Sequence, residues 1–334
     1  MAKSVEEIAR ATGVSVTTVR FVIAGQAERY RISLQTRERV ERYIDQHGYV
    51  LNYAARALKR RRSESVGFVV PDLANPFFAR IVAHIEACCR ARDLVLLAVA
   101  SHEDPLLESR AVSALLARNV DGLILAPCQP ELPEMLRMAK RLPRLALFDR
   151  DYDHLGVSTV LSDNWQGGEI LTRRVLTEAP KNCVFFCGHS ESPTIQARVR
   201  AYAEVCRRFG RADLAAEIRA HPADTPEAGR QLMAEYLRGH GRPPHAVLCS
   251  SLPLLEGVFQ SLKNDAGGID SSLVIGTFDD HTMLDLLPNR VFSIRQDEAL
   301  LAEQVFTALA LDAPTPSIAE RIFIPCQLIE RNTG

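Results

Sequence analysis

From Ser65 onward the chain alternates short apolar runs with longer amphipathic ones, and this alternation constrains the fold more than any other feature. The apolar runs SVGFVV, LVLLAVA, VDGLIL and RLALF have the length of strands, and helix-length segments such as ANPFFARIVAHIEACCRARD lie between them. The alternation starts again with NCVFFCG, IRAHPA, AVLCSS and LVIGTFDD, with helices predicted over 198–208 and 231–237. Such alternation predicts parallel sheets covered on both faces, and therefore a two-lobed α/β body.

The first 62 residues differ from the body in charge. They hold 13 Lys and Arg against 6 Asp and Glu, a net charge of +7, which leaves −8 for the rest of a chain whose total is −1. A basic N-terminal module on an acidic body is typical of a nucleic-acid-binding head. Charge alone also fits a solvated basic surface, so this interpretation needs a motif.

The basic head contains three helical patterns in succession, VEEIARAT, VTTVRFVI and SLQTRERVERYIDQHG. Gly13 separates the first two, and Ser4, Ser15 and Ser33 are of the residue type that caps helix N-termini. A helix, a turn with glycine and a second short helix form a helix-turn-helix, which binds DNA. The sequence therefore predicts a three-helix DNA-binding head.

Several classes of protein are disfavoured. The eight cysteines show no paired CxxC elements of a zinc site, so they are interpreted as free thiols in a reducing compartment. The N-terminus MAKSVEEIARATGVS lacks an apolar signal core, and no run approaches the ~18 apolar residues of a membrane span. We therefore expect a cytoplasmic protein with no membrane partner, no metal and no cofactor.

The stretches EIARATGVSVTTVRFVIAG and YVLNYAARALK resemble the DNA-binding head and hinge of the lactose and galactose repressor (LacI/GalR) family. Within the head, AERYRIS resembles the lengthened loop of the fructose repressor branch, the catabolite repressor-activators. Further along, PDLANPFF, VDGLIL, DNWQGG, VIGTFDD, SIRQD and IPCQLIERN resemble the effector-binding core, so the resemblance covers nearly the whole chain.

The resemblance implies an α/β protein in which a helix-turn-helix head and a hinge helix precede a bilobed core like that of periplasmic binding proteins. The implied domains are a head at 1–50, a hinge helix or linker at 51–63 and an effector-binding and dimerisation core at 64–334. The chain is expected to cross between the lobes several times. The first lobe takes about 64–162 and 293–322, and the second takes about 163–292 and 323–334.

The resemblance also implies which head residues contact DNA. Those expected to enter the major groove from the second helix are Val16, Thr17, Arg20 and Phe21. Those interpreted as contacts to backbone phosphates are Ser15, Thr18, Arg29, Tyr30 and Arg31. For Val16 and Phe21, packing in the core of the head remains an alternative.

The hinge-like stretch NYAARALKRRR places Leu58 directly before four cations. It is too short for a stable helix on its own, and the family hinge becomes helical only on DNA. Asn52 is then expected to cap this helix, Ala55 to allow close approach to the groove floor, and Leu58 to wedge between base pairs in the minor groove. The alternative is a basic linker with a stray leucine.

Ligands of open parallel sheets bind beyond the carboxyl ends of the strands, so the cleft between the lobes is the expected effector site. The candidates that follow strands are Asp72, Phe77, Asp149, Arg150, Asp163, Ser192, Thr194, Arg198, Ser251, Asp279, Asp280 and Gln296. Carboxylates suit sugar hydroxyls, and the fork of Arg198 suits a phosphate or a carboxylate. For Asp72 or Asp163 alone, helix capping is the stronger interpretation. Asp224 stands where relatives often place an aromatic residue, which disfavours a purine or aryl ligand.

The resemblance implies a homodimeric transcription regulator, with higher oligomers left open, whose partners are operator DNA and a phosphosugar, most favourably fructose 1-phosphate. The AERYRIS loop, and Arg150 available near Arg198, favour the phosphate. A related repressor with an unphosphorylated sugar remains an alternative. A plain sugar-binding module leaves residues 1–62 unexplained. An enzyme is disfavoured because no GxSxG, HExxH or phosphate-binding loop is present, so we expect no catalytic residue.

Overall fold

The computed structural model of the protein describes residues 3–49, 62–131, 134, 136, 144–152, 157–179, 181–311 and 319–333. The chain divides into two compact units, Met1–Ser63 and Glu64–Gly334, and the division falls between the expected linker and core. The hinge candidates Asn52, Ala55 and Leu58 lie outside the described residues.

The head consists of the three predicted helices, α1 (Val5–Thr12), α2 (Val16–Ile23) and α3 (Leu34–His47). Each begins at a serine whose hydroxyl accepts a hydrogen bond from a backbone N–H of the first turn, and the glycine after α1 adopts a left-handed φ of 66° that ends the helix. One small core joins the three helices; its fully buried members are Ile8, Val19 and Val40. The helix-capping residues and the buried side chains therefore both indicate the same three-helix head.

The body alternates strands and helices, as its sequence predicts. In chain order its elements are β1 (Ser65–Val70), α4 (Pro76–Arg90), β2 (Val95–Ala100), α5 (Pro105–Ala117), β3 (Gly122–Leu125), β4 (Arg144–Phe148), β5 (Thr159–Ser162), α6 (Asn164–Glu178), β6 (Cys183–Gly188), α7 (Pro193–Arg208), α8 (Ala212–Ala215), β7 (Ile218–His221), α9 (Pro226–His240), β8 (Ala246–Cys249), α10 (Leu252–Asp265), β9 (Val274–Phe278), β10 (Val291–Arg295), α11 (Glu298–Ala308), β11 (Arg321–Ile324) and β12 (Gln327–Arg331). The helices predicted over 198–208 and 231–237 are thus α7 and α9, which both start earlier.

The strands form two six-stranded sheets with related topology. The first has the order β2-β1-β3-β4-β5-β11 and is parallel throughout. The second has the order β7-β6-β8-β9-β10-β12, and only its β10–β12 pair is antiparallel. Both sheets switch strand order at their centre, β1/β3 in one and β6/β8 in the other, where crevices at the carboxyl ends bind ligands.

The crossings between the lobes differ slightly from the expected boundaries. All of β10 belongs to the second sheet, so the chain returns to the first lobe after Arg295 rather than at residue 293. All of β11 belongs to the first sheet, so the last crossing follows Ile324 rather than residue 322. The connector between β5 and α6 falls at Asp163, as expected. These boundaries depend on which strands pair with each other, and the local sequence does not reveal that pairing.

Buried apolar side chains from the strands and covering helices form the cores of both lobes. The run SVGFVV of β1 is buried at every position because helices cover both faces of the sheet. All eight cysteines are free thiols, six of them buried, which confirms their interpretation as unpaired thiols. Of the described helices, none has the length and apolar character needed to cross a membrane.

Helices α9 and α10 pack with their backbones in contact. A Cβ atom built on Gly229 would lie 2.0 Å from the carbonyl oxygen of Leu254, and one built on Gly257 would lie 1.8 Å from that of Pro226. Neither carbonyl can move without disturbing a helix backbone. Glycine is therefore required at both positions, because any side chain would separate the two helices.

We expect Gly257→Ala to lower the free energy of unfolding by about 1–3 kcal/mol, because the added methyl group overpacks the α9–α10 contact. Gly239→Ala, on the exposed face of α9 with no atom within 4 Å of the added methyl group, is the matched control. It should be neutral or stabilising by up to about 1 kcal/mol. Chemical denaturation measures both, and an equal loss in the two variants would contradict the close contact.

Candidate functional site

The second helix of the head presents polar side chains at its surface. Thr17 and Arg20 are exposed, whereas Val19 and Val22 point into the core. Arg20 lies 3.7 Å from Glu6, and a salt bridge this exposed contributes little to stability. The guanidinium of Arg20 can therefore exchange this partner for another at small cost.

The two apolar candidates of α2 have different surroundings. Val16 is half-buried against the head core, so the packing alternative describes part of its surface. The ring of Phe21 stacks on that of Tyr30, with centroids 3.6 Å apart and planes inclined by 7°. The guanidinium of Arg29 lies 5.8 Å from the Tyr30 centroid. The lengthened loop is thus joined to α2 by an aromatic contact.

The remaining head candidates lie around the start of α2 and on the loop. The hydroxyl of Ser15 accepts a hydrogen bond from the Thr18 N–H, and the two hydroxyls lie 2.8 Å apart. Arg29 and Arg31 are exposed, and Arg31 has a left-handed φ of 53°. Ser15 and Thr18 lie at the N-terminal turn of α2, where an anion is favoured by the helix dipole.

In the body, the carboxyl ends of both sheets face a cavity of about 430 Å³ between the lobes. Ten of the twelve effector candidates line it: Asp72, Phe77, Asp149, Arg150, Ser192, Thr194, Arg198, Ser251, Asp279 and Gln296. Residues of both lobes contribute to the wall, because the two strand-order switches face each other. Strand ends far apart in the sequence thus meet at one cavity.

Polar contacts join the lobes around the cavity. The Thr194 hydroxyl of the second lobe donates to the Asp149 carbonyl of the first at 2.6 Å. His189 Nε2 lies 3.3 Å from a carboxylate oxygen of Glu103 in the opposite lobe. Any change in the angle between the lobes must lengthen or break these contacts.

Arg198 enters the cavity from α7 and is only 4% exposed. Its Nε donates to Asn164 Oδ1 at 2.8 Å, its Nη1 donates to the Ser250 carbonyl at 2.6 Å, and its guanidinium lies over the Phe278 ring at 3.9 Å. These contacts fix the plane of the guanidinium and leave part of its donor edge for a ligand.

Arg150, in contrast, does not offer its fork to the cavity. Its two terminal nitrogens donate to the two carboxylate oxygens of Glu103 at 2.6 and 2.5 Å. One of them also donates to the Pro127 carbonyl at 3.3 Å. The expectation that Arg150 is available beside Arg198 is therefore wrong for this conformation. The sequence could not reveal it, because Glu103 lies on another strand end.

Two carboxylates are buried in the cavity wall. Burial raises the pKa of Asp149 above its ordinary value, against the opposing charges of Arg150 and Arg198. Burial likewise raises the pKa of Asp279, although Arg198 and a hydrogen bond from Gln296 act in the other direction. Both residues have a left-handed φ, 64° and 68°, which turns the chain sharply after its strand.

Gln296 connects the cavity to the crossings between the lobes. Its amide nitrogen donates to Asp279 Oδ1 at 2.5 Å, and its carbonyl oxygen accepts from the Ser162 hydroxyl at 2.5 Å. At the third crossing, the side chain of Gln166 donates to the carbonyl of Cys326 and accepts from its backbone N–H. The three crossing segments are therefore hydrogen-bonded to their surroundings near the cavity.

Two of the twelve candidates do not line the cavity, which corrects their expected role. Asp163 caps α6 by accepting a hydrogen bond from the Gln166 N–H at 2.9 Å. Asp280 accepts from Ser293 and forms ion pairs with Arg295 and Arg331. Asp279 lines the cavity, whereas the carboxylate of Asp280 is taken up by these partners away from it, so only one of the two neighbouring aspartates faces a ligand.

Other cavity residues were missing from the candidates. Glu103 and His102 follow β2, His189 follows β6, and Asn75 caps α4. Asp224, noted only as a departure from the family pattern, accepts a hydrogen bond from the Ser251 hydroxyl at 2.6 Å. The rule that ligands bind beyond strand ends would have found both Glu103 and His189, because His189 directly follows β6 and Glu103 lies three residues beyond β2.

The cavity has the chemistry of a site for a hydroxylated anion. Its described lining contains five carboxylates, which accept hydrogen bonds from hydroxyl groups, and two guanidinium groups, of which that of Arg198 keeps donors for an anionic oxygen. Ser192 precedes the first turn of α7 and makes no side-chain capping hydrogen bond. The described residues contain no cluster of three or more metal-ligating side chains.

Comparison with known proteins matches both units of the chain. Residues 4–52 match the model of bacterial regulatory proteins of the lacI family, and residues 63–287 match that of periplasmic binding proteins and sugar binding domains of the LacI family. The chain is 31% identical to the fructose operon regulatory protein of Vibrio cholerae, over 97% of this chain and 98% of that protein. It is 32% identical to the catabolite repressor/activator of Escherichia coli, over 92% of each.

Among solved structures, the chain resembles the Cra transcriptional dual regulator from Pseudomonas putida in complex with fructose 1-phosphate. The TM-score is 0.73 with 28% identical residues, over 80% of this chain and 98% of that one. The lac repressor dimer bound to operator shares the fold, with a TM-score of 0.79 and 19% identity over the whole of this chain and 99% of the other.

We expect Asp279→Asn to stabilise the ligand-free protein by about 1 kcal/mol near neutral pH, because the variant removes a buried charge. Residues of functional sites often carry such a cost in stability. The folded-state pKa of Asp279 is raised, so its ionised form costs stability above that pKa, and the cost disappears as pH falls through it. The advantage of the variant should therefore shrink on acidification. Denaturation at several pH values measures it.

The matched control is Asp270→Asn, an exposed aspartate whose pKa is lowered by a hydrogen bond from the Ser272 backbone. Its folded-state pKa lies below the unfolded value, so the sign is opposite, and the control should lose stability near neutral pH. If both variants respond in the same direction, burial is not what raises the pKa of Asp279.

Proposed function

The chain belongs to the LacI family of bacterial regulatory proteins, and from this premise we propose that it is a homodimeric regulator controlled by fructose 1-phosphate. It is a DNA-binding transcriptional regulator of sugar metabolism and not an enzyme. The proposal concerns its effector, its DNA-contacting residues and its assembly. We also propose that it acts in the cytoplasm, where operator DNA is found.

For DNA recognition, we propose that Thr17 and Arg20 contact base edges in the major groove. Both are exposed on α2, and both side chains can donate hydrogen bonds to bases. Ser15, Thr18 and the arginines of the loop contact backbone phosphates, supported by the N-terminal dipole of α2. In the proposed complex, the hinge is helical and Leu58 enters the minor groove.

For the effector, the observation that carries the proposal is the arrangement around Arg198. Its guanidinium is held in the cavity wall beside the first turn of α7, whose backbone N–H groups also favour an anion. Asp149 and Asp279 provide acceptors for hydroxyl groups in the same cavity. A sugar with one phosphate satisfies both sets, and a similar protein has been solved with fructose 1-phosphate.

An unphosphorylated sugar is the second candidate, favoured by the charges of the cavity. Five carboxylates against two guanidinium groups make its lining acidic, and the fork of Arg150 is already occupied by Glu103. A neutral polyol would meet no repulsion from these carboxylates. The choice between the candidates therefore depends on how much the phosphate gains at Arg198 and α7.

We propose a homodimer because two heads are needed to read two half-sites of a near-palindromic operator. The body carries an apolar groove beside α10 that is suited to a second copy of the chain. It is lined by Leu252, Phe259 and Met283 among others, and Met283 and nearby Leu286 are 59% and 83% exposed. Apolar groups this exposed are commonly covered in an assembly.

We propose that effector binding changes the angle between the lobes, so that the two heads of the dimer no longer fit both half-sites. The contacts of Thr194 and His189 across the cavity are those that such a change must alter. Coupling between two sites is reciprocal, so operator DNA must weaken effector binding by the factor by which effector weakens DNA binding.

We expect fructose 1-phosphate to release the full-length protein from DNA at concentrations at which fructose has no effect. A palindromic site selected from random DNA serves as operator, and fluorescence anisotropy measures binding. Glucose 6-phosphate and inorganic phosphate are the controls for phosphate alone. Equal release by fructose and fructose 1-phosphate would reject the phosphorylated effector, and salt-insensitive DNA binding would contradict phosphate contacts by the basic head.

We expect Met283→Glu to shift the protein from dimer to monomer, because a carboxylate would be buried without a partner in the proposed interface. Sedimentation velocity over a range of concentrations measures the change, and a dissociation constant raised by at least about tenfold corresponds to ~1.4 kcal/mol. The matched control is Phe209→Glu, at the end of α7, where the side chain is 45% exposed. Equal dissociation of both variants would place the interface elsewhere.

A further inference from the structure

Glu103 occupies the anion-binding fork of Arg150. Its two carboxylate oxygens accept hydrogen bonds from both terminal nitrogens of the guanidinium, at 2.6 and 2.5 Å. This is the bidentate geometry in which arginine binds a phosphate or the carboxylate of a ligand. Both side chains line the cavity between the lobes, so the pair lies where a ligand binds.

The pair is strong because it is largely removed from water. Arg150 is 5% exposed, and the side chain of Glu103 is 33% exposed. Burial alone would raise the pKa of Glu103, but the hydrogen bonds and charge of Arg150 outweigh it and hold this pKa below its ordinary value. Glu103 is therefore an anion at neutral pH, in competition with any other anion for the same donors.

The paired donors of the Arg150 guanidinium are closed to a ligand while this pair is intact. Its Nε is buried 3.8 Å from Asp149 Oδ2, and no atom among the described residues accepts a hydrogen bond from it. Its Nη1 already has Pro127 as a second acceptor. A ligand phosphate can reach the Arg150 fork only if Glu103 leaves it.

The backbone that carries Glu103 is strained. His102 and Glu103 both adopt left-handed φ values, 52° and 58°, in the short turn between β2 and α5. Two successive residues of this kind cost roughly 1–3 kcal/mol each and persist only when surrounding contacts hold them. Backbone hydrogen bonds hold this turn, from the His102 N–H to the Pro71 carbonyl at 2.8 Å and from the Asp104 N–H to the Ser101 carbonyl at 3.0 Å. The side chain of Glu103 is held by Arg150 and lies 3.3 Å from His189 Nε2 of the other lobe.

We propose that Glu103 is an internal competitor for the phosphate of the effector at Arg150 and thereby sets the selectivity of the cavity for phosphorylated sugars. This inference rests on the proposed phosphosugar effector. A neutral sugar can occupy the carboxylates of Asp149 and Asp279 and leave Glu103 in place. A phosphate displaces the Glu103 side chain from Arg150 and removes the partner of His189 across the lobes.

The test is calorimetry of the full-length protein with fructose 1-phosphate, fructose and inorganic phosphate, for the natural sequence and Glu103→Gln. Glutamine keeps the size of the side chain and removes its charge. We expect the variant to bind fructose 1-phosphate and inorganic phosphate at least about tenfold more tightly, as the loss of one charged competitor implies. Because Glu103 itself lines the cavity, the readout is the ratio of the affinities for fructose 1-phosphate and for fructose, which should rise by a similar factor.

The matched control is Glu86→Gln on α4, an exposed carboxylate paired with Arg90 that makes the same change of charge away from the cavity. A second variant, Arg150→Gln, removes the guanidinium and its charge. In that background Glu103→Gln should no longer tighten phosphate binding, because there is no shared guanidinium to compete for. Thermal melting shows whether each variant is folded, and Glu103→Ala replaces the glutamine variant if needed.

These measurements can refute the role of Glu103 and the identity of the effector independently of each other. If phosphate binding of Glu103→Gln is unchanged or weaker, Glu103 only positions Arg150 and the competition is refuted. A tightening of equal size in the Arg150→Gln background would also refute it, because the effect would then be general repulsion between Glu103 and the phosphate. If the natural protein binds neither sugar, the proposed effector fails. Tighter binding of inorganic phosphate by Glu103→Gln would still support competition, and no tightening would refute it.

Discussion

Burial of charge at the ends of the parallel strands determines how the body is arranged around its cavity. Arg150 and Arg198 are both nearly inaccessible to solvent, and an unpaired buried guanidinium would cost several kcal/mol. Each therefore draws acceptors from separate parts of the chain, Glu103 and Pro127 for one, Asn164 and Ser250 for the other. Satisfying these two cations fixes the loops after the strands and leaves the cavity with an acidic lining.

Much of the fold could be predicted because its signals are local. Each helix of the head begins at a serine cap, and the apolar runs of the body have the length and continuity of buried parallel strands. The rule that ligands bind beyond strand ends selected twelve candidate residues, and ten of them line one cavity in the structure. Asp163 shows the limit of that rule, because a carboxylate after a strand can also cap the next helix.

What could not be predicted depends on contacts between distant residues. The sequence places Arg150 beside a strand end but does not show that Glu103, 47 residues earlier, takes its fork. The stacking of Phe21 on Tyr30 is equally invisible, since the two belong to a helix and a loop of irregular structure. The lobe boundaries shifted by two or three residues because β10 and β11 are assigned by pairing and not by composition.

The three crossings between the lobes have a consequence for how such proteins diversify. Lobes joined by three neighbouring segments have few ways to move, so the direction of their motion is set by the connectors and not by the ligand. Gln296 reaches from one connector to Asp279, whereas most of the cavity wall comes from loops that bear no connector. Substitutions in those loops can therefore change which metabolite binds, while the direction in which the lobes move stays the same.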